Sequence, residues 1–233
     1  MKCAIEDLEK HYGSFFDNSG YDATCRMILP HELAGLTVLD VACRRGKGVY
    51  KCTDRVGAAG RAIGIDWRPD MLDRARSGEW HACRKNDLAV SNMQFIQAYP
   101  EQIADVLEAQ SVDVAYVNSV MNLFYDPCAA LAAIHDVLKP QGLLVCETVI
   151  ASAPRDMDVV AAARANGNSV QAAVDADALL TWFADAGFSL GTIQARTMNA
   201  VHPAANCEGE LTAPLAPSSE RVEFAAIHIQ VRA

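Results

Sequence analysis

A short turn between two strand-like runs is the part of this sequence whose residues could most clearly do chemistry. The run Leu36–Ala42 leads through Asp40 into a turn that closes at Gly46, and Asp66 ends a second run twenty residues later. Small residues in such a turn let the backbone approach a ligand, and an acid at the next strand end accepts hydrogen bonds from ribose hydroxyls. The spacing therefore indicates a nucleotide-type ligand at the carboxyl ends of two parallel strands.

The turn departs from the fingerprint of dinucleotide-binding proteins. Ala42 and Arg44 stand where glycines would be expected, and only Gly46 and Gly48 follow. A pyrophosphate cradle is therefore weakly supported, which disfavours a nicotinamide-dependent oxidoreductase. An ordinary strand-to-helix turn without a ligand remains an open alternative.

The elements that must position these residues alternate between strands and helices. Periodicity and punctuation predict strands over 36–42, 61–66, 93–97, 112–117 and 143–149. They are separated by helices over 46–56, 101–109 and 126–138 and by one that opens over 69–76. Asp126 is the predicted N-cap of the last of these helices, and Pro127 suits its first position. Further along, a helix over 177–186 and strands near 188–196 and 222–231 flank a predicted surface loop at 200–220. This alternation predicts an α/β fold with a parallel sheet.

The composition and charge of the chain limit which classes of function are possible. The chain has 233 residues, 51% of them hydrophobic, which suits a single α/β domain over 1–233. Its formal charge of −9 disfavours nucleic acid and anionic membranes as partners. No signal-like or membrane-spanning run is present in the sequence, so we expect a cytoplasmic protein. The eight cysteines include no CxxC pair, so we expect no metal site and thiols mostly in the core.

Four segments together resemble class I S-adenosylmethionine (SAM) dependent methyltransferases. Val38–Gly46 resembles their motif I, Ile63–Asp66 their ribose-binding strand end, Asp113–Asn118 their motif IV, and Leu138–Gly142 their turn before strand five. The resemblance implies a Rossmann-like fold with a seven-stranded, mostly parallel sheet, helices on both faces and an antiparallel last pair of strands. It also implies SAM as the cofactor and S-adenosylhomocysteine as its product.

A closer resemblance is to the arsenite methyltransferase group. It is carried by His11–Gly13, Gly48–Tyr50, Ala98–Glu101 and Asn118–Leu123. It implies that residues 1–30 form a lid segment over a SAM-binding core at 36–150, with acceptor-side elements at 151–233. The cofactor-binding residues implied or suggested by position are Asp40, Ala42, Arg44, Gly46, Tyr50, Asp66, Trp67, Tyr99, Pro100, Asn118, Ser119 and Asn122.

Arg44 is the most informative departure from motif I, and three interpretations stay open. It could pair with the carboxylate of the methionyl group, or it could turn outward and leave Gly46 to shape the pocket. The third possibility is a damaged site in a pseudoenzyme. Arginine is seldom buried without a partner, so its surroundings decide between these interpretations.

The acceptor side offers four candidate catalytic residues. His11 and Tyr12 could line the acceptor pocket from the lid or lie at a surface helix end. Glu147 could be a base or an acceptor-binding acid, and Cys25 could be a substrate-side thiol or a structural cysteine.

The resembled family binds arsenite through several spaced thiolates, but its cysteine-bearing stretch corresponds here to 166–170, which contains no cysteine. We therefore expect methyl transfer to a related small-molecule acceptor, with S- or N-methylation ahead of O-methylation, in a monomer or homodimer. An arsenite methyltransferase with altered cysteines and a non-catalytic SAM-fold partner subunit are the rival hypotheses.

Overall fold

A single seven-stranded sheet organises the computed structural model, which describes residues 3–15, 27–202 and 222–233. The strand order is β3-β2-β1-β4-β5-β7-β6. The strands are β1 (Thr37–Val41), β2 (Arg61–Asp66), β3 (Met93–Gln97), β4 (Val112–Asn118), β5 (Leu138–Ala151), β6 (Ser189–Val201) and β7 (Phe224–Arg232). The first five pair in parallel, and β7 runs antiparallel to both β5 and β6. The predicted seven-stranded, mostly parallel fold is confirmed.

Helices connect the strands and cover both faces of the sheet. They are α1 (Ile5–Gly13), α2 (Lys47–Val56), α3 (Pro69–Lys85), α4 (Ile103–Val106), α5 (Pro127–Val137), α6 (Met157–Ala165) and α7 (Ala176–Asp185). Two short 3-10 turns, Pro100–Gln102 and Met121–Leu123, follow β3 and β4. Over 3–15, 27–202 and 222–233, no helix combines the length and the apolar character that crossing a membrane requires.

Alternate strand residues supply the two halves of the core. Val38 and Tyr116 belong to the cluster under α2 and α3, whereas Leu39 and Val117 belong to the cluster that includes residues of α5 and α7. This alternation follows from the two-residue repeat of a strand covered on both faces. Between β1 and β4 the strand order reverses direction, which is where ligands bind in sheets of this kind.

The start of the fifth helix is as predicted from its capping residues. Asp126 precedes the helix, and its Oδ1 accepts a hydrogen bond from the Ala129 amide at 3.0 Å. Pro127 takes the first helical position, where its missing N–H costs nothing.

Two predicted elements differ in extent from the structure. Strand β5 begins at Leu138, directly after α5, because Leu138 pairs with Val112 before a register shift leads into the regular ladder. The helix predicted over 101–109 is a 3-10 turn followed by the short α4, in which only Ile103 is buried. Helix α3, predicted to open over 69–76, extends to Lys85. The predicted loop at 200–220 lies largely outside the described residues.

Close contact between α2 and the sheet depends on Gly64 in the middle of β2. A Cβ built on Gly64 would lie 2.6 Å from Val49 Cγ2 and 2.7 Å from Cys43 Sγ. Val49 is fully buried and Cys43 nearly so, so neither neighbour has room to move. The absence of a side chain at Gly64 therefore holds α2 and the preceding turn against the sheet.

We predict that Gly64→Ala destabilises the protein by about 1–3 kcal/mol, because overpacking a filled core forces neighbours out of position. Gly191→Ala is the matched control, since a Cβ there meets nothing within 4 Å and the change in stability should stay within about 0.5 kcal/mol. Urea unfolding of both variants measures the difference. Equal unfolding midpoints would contradict this account of the packing.

Candidate active site

The carboxylate of Asp66 joins the two main-chain turns at the carboxyl edge of the sheet. Its Oδ2 accepts a hydrogen bond from the Arg44 amide at 2.8 Å, and its Oδ1 accepts one from the Arg68 amide at 2.9 Å. Asp66 is buried, which raises its pKa, while the two amides and the charges of both arginines oppose that rise. Asp66 thus fixes the turn after β1 relative to the start of α3.

The turn after β1 has an unusual backbone conformation. Ala42, Arg44 and Gly46 have φ angles of 59°, 49° and 76°, all in the left-handed region. Only Gly46 adopts this region without a steric penalty, and a Cβ there would also meet Ala75 and Phe95 at 3.0 Å. Left-handed residues other than glycine persist where the surroundings hold them, and they cluster at functional sites.

The two arginines of the turn have different environments. Arg44 is half-buried and Arg45 is exposed. The Arg44 charge lowers the pKa of Asp66, so its side chain contributes to the electrostatics of the site. The position of Arg44 is therefore part of the site itself, whereas Arg45 belongs to the surface.

Asp40 lies beneath the turn as a second buried acid. Burial, followed by the neighbouring Asp66, raises its pKa to about 7, although the Val49 amide favours the charged form. Gly48 leaves room for this carboxylate, because a Cβ there would lie 2.1 Å from Asp40 Oδ2. The predicted pair of acids is thus brought together below one glycine-containing turn.

Three aromatic rings form one stack beside Asp66. Tyr12 lies between Trp67 and Tyr99, with ring centroids 4.5 Å and 5.2 Å away respectively. Pro100 begins the 3-10 turn directly after Tyr99. Trp67 Nε1 is buried without a hydrogen-bond partner within the described part of the chain. An unpaired indole N–H in a strand-end site is suited to donating a hydrogen bond to a ligand.

Helix α1 brings Tyr12 to this stack through buried polar contacts. The Tyr12 hydroxyl donates to the carboxylate of Glu101 at 2.9 Å and accepts from the Tyr125 amide at 3.2 Å. His11 Nε2 donates to the Leu123 carbonyl at 2.8 Å. Burial raises the pKa of both Tyr12 and Glu101 and lowers the pKa of His11. Tyr12 and His11 therefore face the inside of the molecule.

Glu101 was not singled out as a site residue by sequence reasoning. Its carboxylate accepts hydrogen bonds from the Tyr12 hydroxyl at 2.9 Å and from the Asp126 amide at 3.2 Å. Its position directly after Tyr99-Pro100, within the segment that resembles the arsenite methyltransferase group, was the one available signal.

The residues after β4 turn sharply at the same edge. Ser119 has a φ of 58°, and its amide donates to the Glu147 carbonyl at 2.6 Å. Its hydroxyl donates to Asn118 Oδ1 at 3.3 Å. Asn122 is buried, and its Nδ2 donates to the carbonyls of Val149 at 2.8 Å and Ser169 at 3.1 Å. Asn118 and Ser119 thus lie at the strand end, while Asn122 joins it to the segment after α6.

Glu147 is the centre of a separate buried network. Its carboxylate accepts hydrogen bonds from the Ile28 amide at 3.1 Å and the Tyr116 hydroxyl at 2.9 Å, and His228 Nδ1 lies 3.4 Å away. These partners hold its pKa below the usual value despite burial, which acts in the opposite direction. Glu147 is therefore charged, and its carboxylate oxygens are already hydrogen-bonded. Through the Ile28 amide, it holds the segment before β1 against the sheet.

Tyr50, another predicted site residue, is not brought to the aromatic stack. The Tyr50 hydroxyl donates to the Ala75 carbonyl, and its ring packs edge-on against Phe95, so it lies between α2 and α3. Cys25 lies outside the described residues.

The residues at the carboxyl edges of β1, β2 and β4 fit the cofactor implied by the sequence resemblance. Each carboxylate oxygen of Asp66 accepts one hydrogen bond from a backbone amide. Because a carboxylate can accept about four hydrogen bonds, Asp66 can still accept hydrogen bonds from ribose hydroxyls. Tyr12 covers one face of Trp67, so the opposite face is the flat apolar surface for a base, and Trp67 Nε1 is an unpaired donor.

A family model described as a methyltransferase domain matches residues 32–187, more than half of the chain. The chain belongs to this methyltransferase family. Its matched residues include the turn, both acids and all five parallel strands.

Relatives of this methyltransferase-family chain include proteins acting on different acceptors. It is 33% identical over 129 residues to an arsenite methyltransferase of Aquipseudomonas alcaligenes, covering 54% of this chain and 36% of that protein. It is 30% identical over 115 residues to a demethylmenaquinone methyltransferase of Lactococcus lactis, covering 49% of this chain and 42% of that protein. The chain thus spans less than half the length of these curated relatives.

Solved methyltransferases have the same fold. An arsenic(III) S-adenosylmethionine methyltransferase from Chlamydomonas reinhardtii superposes with a TM-score of 0.71 at 24% identity, covering 98% of this chain and 70% of that one. The predicted family and fold are confirmed, and SAM is the methyl donor that they imply.

The raised pKa of Asp40 predicts a pH-dependent stability that Asp40→Asn removes. The folded state keeps a proton on Asp40 up to about pH 7, whereas an unfolded aspartate releases it near pH 3.9. Stability therefore falls as pH rises between these values, by about 1–3 kcal/mol from pH 5 to pH 8. Urea unfolding at both pH values should show a smaller fall for Asp40→Asn than for the unsubstituted protein.

Asp54→Asn is the control for this pH experiment, because Asp54 is exposed on α2. Its stability should depend on pH in the same way as that of the unsubstituted protein. The assignment of Asp40 fails if Asp40→Asn and Asp54→Asn lose stability in parallel.

Proposed function

We propose that this chain is a SAM-dependent methyltransferase that acts on a small-molecule acceptor, with sulfur or nitrogen as the accepting atom. The observation that carries the proposal is Asp66, whose carboxylate is bound by the amides of Arg44 and Arg68 at the edge where the strand order reverses. This arrangement supports the proposal, because an acid that could accept ribose hydroxyls lies next to a strained turn and flat aromatic faces.

The cofactor side is formed by residues of the first three βα units and the strand end of β4. Asp66 would accept the ribose hydroxyls, the face of Trp67 opposite Tyr12 would pack against the base, and the turn with Arg44 would receive the charged methionyl end. The half-buried position of Arg44 supports the first of its three interpretations, pairing with the methionyl carboxylate. When bound, SAM supplies a methyl carbon whose bond to sulfur breaks as the bond to the acceptor atom forms.

The acceptor side is formed by α1 and the segments after β4 and β5. Tyr12 and His11 exclude water there, because both contact the 3-10 turns and Tyr12 also binds the Tyr125 amide. His11 donates from Nε2, which leaves Nδ1 of the neutral ring as an acceptor for a proton from the acceptor group. Glu147 already accepts two hydrogen bonds, so we assign it to holding the chain before β1 rather than to proton transfer.

Arsenite methylation is a second candidate, favoured by the 33% identity to the relative of Aquipseudomonas alcaligenes. Trivalent arsenic requires thiolate ligands, which form less readily as burial raises a thiol pKa. Burial raises the pKa of Cys43 and Cys52, and Cys146 is fully buried against Met121. These three thiols therefore favour a core role, whereas Cys3, Cys83 and Cys128 are half-buried. The arsenic candidate depends on such less buried thiols, or on Cys25 and Cys207, which lie outside the described residues.

Calorimetry with SAM and S-adenosylhomocysteine tests the cofactor assignment. We expect binding to the unsubstituted protein and a loss of at least about tenfold in affinity for Asp66→Asn, since an amide cannot accept from both backbone N–H groups. Asp73→Asn is the matched control, because Asp73 is exposed on α3 and pairs only with Arg76 among the contacts described. Absence of binding to the unsubstituted protein would refute the proposal and support a damaged site.

Transfer of a labelled methyl group separates the remaining hypotheses. Product from thiol or amine acceptors, without methylated arsenicals when arsenite is supplied, is expected for a small-molecule methyltransferase. Methylated arsenic that disappears in Cys25→Ser would replace the proposal with the arsenic candidate. Cofactor binding with no turnover until a second protein is added would instead indicate a partner subunit.

A further inference from the structure

Buried polar atoms without partners are concentrated at one place in the described part of the chain. Eight side-chain N or O atoms there are buried and unpaired, and four of them belong to residues close to the end of β5. These four are Asn122 Oδ1, Thr148 Oγ1, Arg164 Nη2 and Ser169 Oγ. Asn122, Thr148 and Ser169 are 1%, 3% and 2% exposed. Native proteins leave few such groups unsatisfied, so a group of four requires an explanation.

Hydrogen bonds connect these residues through Asn122. Its Nδ2 donates to the carbonyls of Ser169 and Val149, and Val149 directly follows Thr148 in β5. Arg164 Nε donates to the Asn122 carbonyl at 3.1 Å. Three segments that are distant in sequence, around 122, 148–149 and 164–169, are thus held together while one polar atom of each of the four residues stays unused.

The group adjoins the lid helix and therefore the cofactor side. His11 donates to the carbonyl of Leu123, which follows Asn122, and Ser14 Oγ donates to the carbonyl of Ala165, which follows Arg164. The Arg164 charge also lowers the pKa of His11, after the larger effect of burial. Asn122 and Arg164 thus directly adjoin the residues that α1 contacts.

Arg164 is the only cation among the four, and its Nη2 has no hydrogen-bond acceptor in the described part of the chain. One edge of its guanidinium is bound to Asn122, and its plane lies 5.7 Å from the ring centroid of Trp182. Burial lowers its pKa, and the charge of Asp126 opposes this without forming an ion pair with it in the described structure. A buried guanidinium N–H without an acceptor is costly, and a bound anion removes that cost.

We propose that Asn122, Thr148, Arg164 and Ser169 form the acceptor subsite of the proposed methyltransferase, and that the acceptor carries a carboxylate. The unused atoms comprise a charged donor and two hydroxyls that can donate, which suits one carboxylate. Asn122 Oδ1 can accept only, so it suits an N–H or O–H next to that carboxylate. A phosphate, with a greater charge, would face a single cation beside Asp126.

The subsite rests on the proposed function, and matched acceptor pairs test it separately. Labelled methyl transfer is measured with mercaptoacetate against mercaptoacetamide, and with glycine against glycinamide, so that both accepting atoms are covered. We expect the carboxylate form to be preferred by about tenfold or more in kcat/KM in at least one pair. In Arg164→Met the preference should fall to about threefold or less, with Arg164→Lys intermediate.

Two further variants keep the result interpretable. Arg84→Met removes an exposed arginine near the end of α3 and should leave the preference intact. Ser169→Ala should reduce kcat/KM for the carboxylate by about threefold to tenfold without the loss of a charge, so it tests the subsite even if Arg164→Met does not fold.

Each outcome bears on one of the two proposals. Equal rates for acid and amide, a preference that persists in Arg164→Met, or no transfer to either pair while S-adenosylhomocysteine still binds would each overturn the subsite. Buried water would then be the explanation for the unpaired atoms. Failure of S-adenosylhomocysteine to bind at all would refute the proposed function instead.

Discussion

The hydrogen bonds from two backbone amides to the Asp66 carboxylate are the interaction on which the cofactor side depends. Parallel pairing places the ends of β1 and β2 side by side, but it does not determine how the chain leaves either strand. Asp66 determines both exits, because one oxygen holds the Arg44 amide and the other holds the Arg68 amide. The start of α3 and the turn before α2 are therefore positioned by a single side chain.

This arrangement has an electrostatic cost that the neighbouring elements offset. Asp40 and Asp66 are both buried, and each carboxylate makes a charge on the other less favourable. The amides of Val49, Arg44 and Arg68 supply partial positive charge at these acids. A left-handed Arg44 is strained, but that conformation delivers its amide to Asp66. Strain and charge burial at this edge are consequences of the same geometry.

Much of this edge could be predicted from the sequence because its signals are local. The order of strands and helices, the cap at Asp126 and the spacing of Asp66 from the turn are all readable within short windows. The early start of β5 could not be predicted, because Leu138 belongs to the strand only through its pairing with Val112. The shortness of α4 could not be predicted either, because this segment lacks the buried face that a longer helix would need. Tertiary pairing overrides local pattern at both places.

The acceptor side was less predictable because its contacts join residues far apart in the sequence. Tyr12 and Glu101 are 89 positions apart, and Arg164 and Asn122 are 42 apart. Neither pair belongs to a periodic pattern or a capping motif, so no local signal reports it. His11 and Tyr12 could be proposed for the lid, but their partners could not be named before the fold was known.

The difference between the two sides has a consequence for how acceptor preference can vary in this fold. The cofactor side is built on parallel strands whose ends are joined by Asp66, so a change there disturbs the sheet. The proposed acceptor side is formed by α1, α6 and the segment at Ser169, which are joined to the sheet through side-chain hydrogen bonds such as Asn122 to Val149. Side chains on these elements can change without altering the strand ends. In the proposed subsite, Arg164 and Ser169 would therefore set acceptor preference separately from the residues proposed to hold the cofactor.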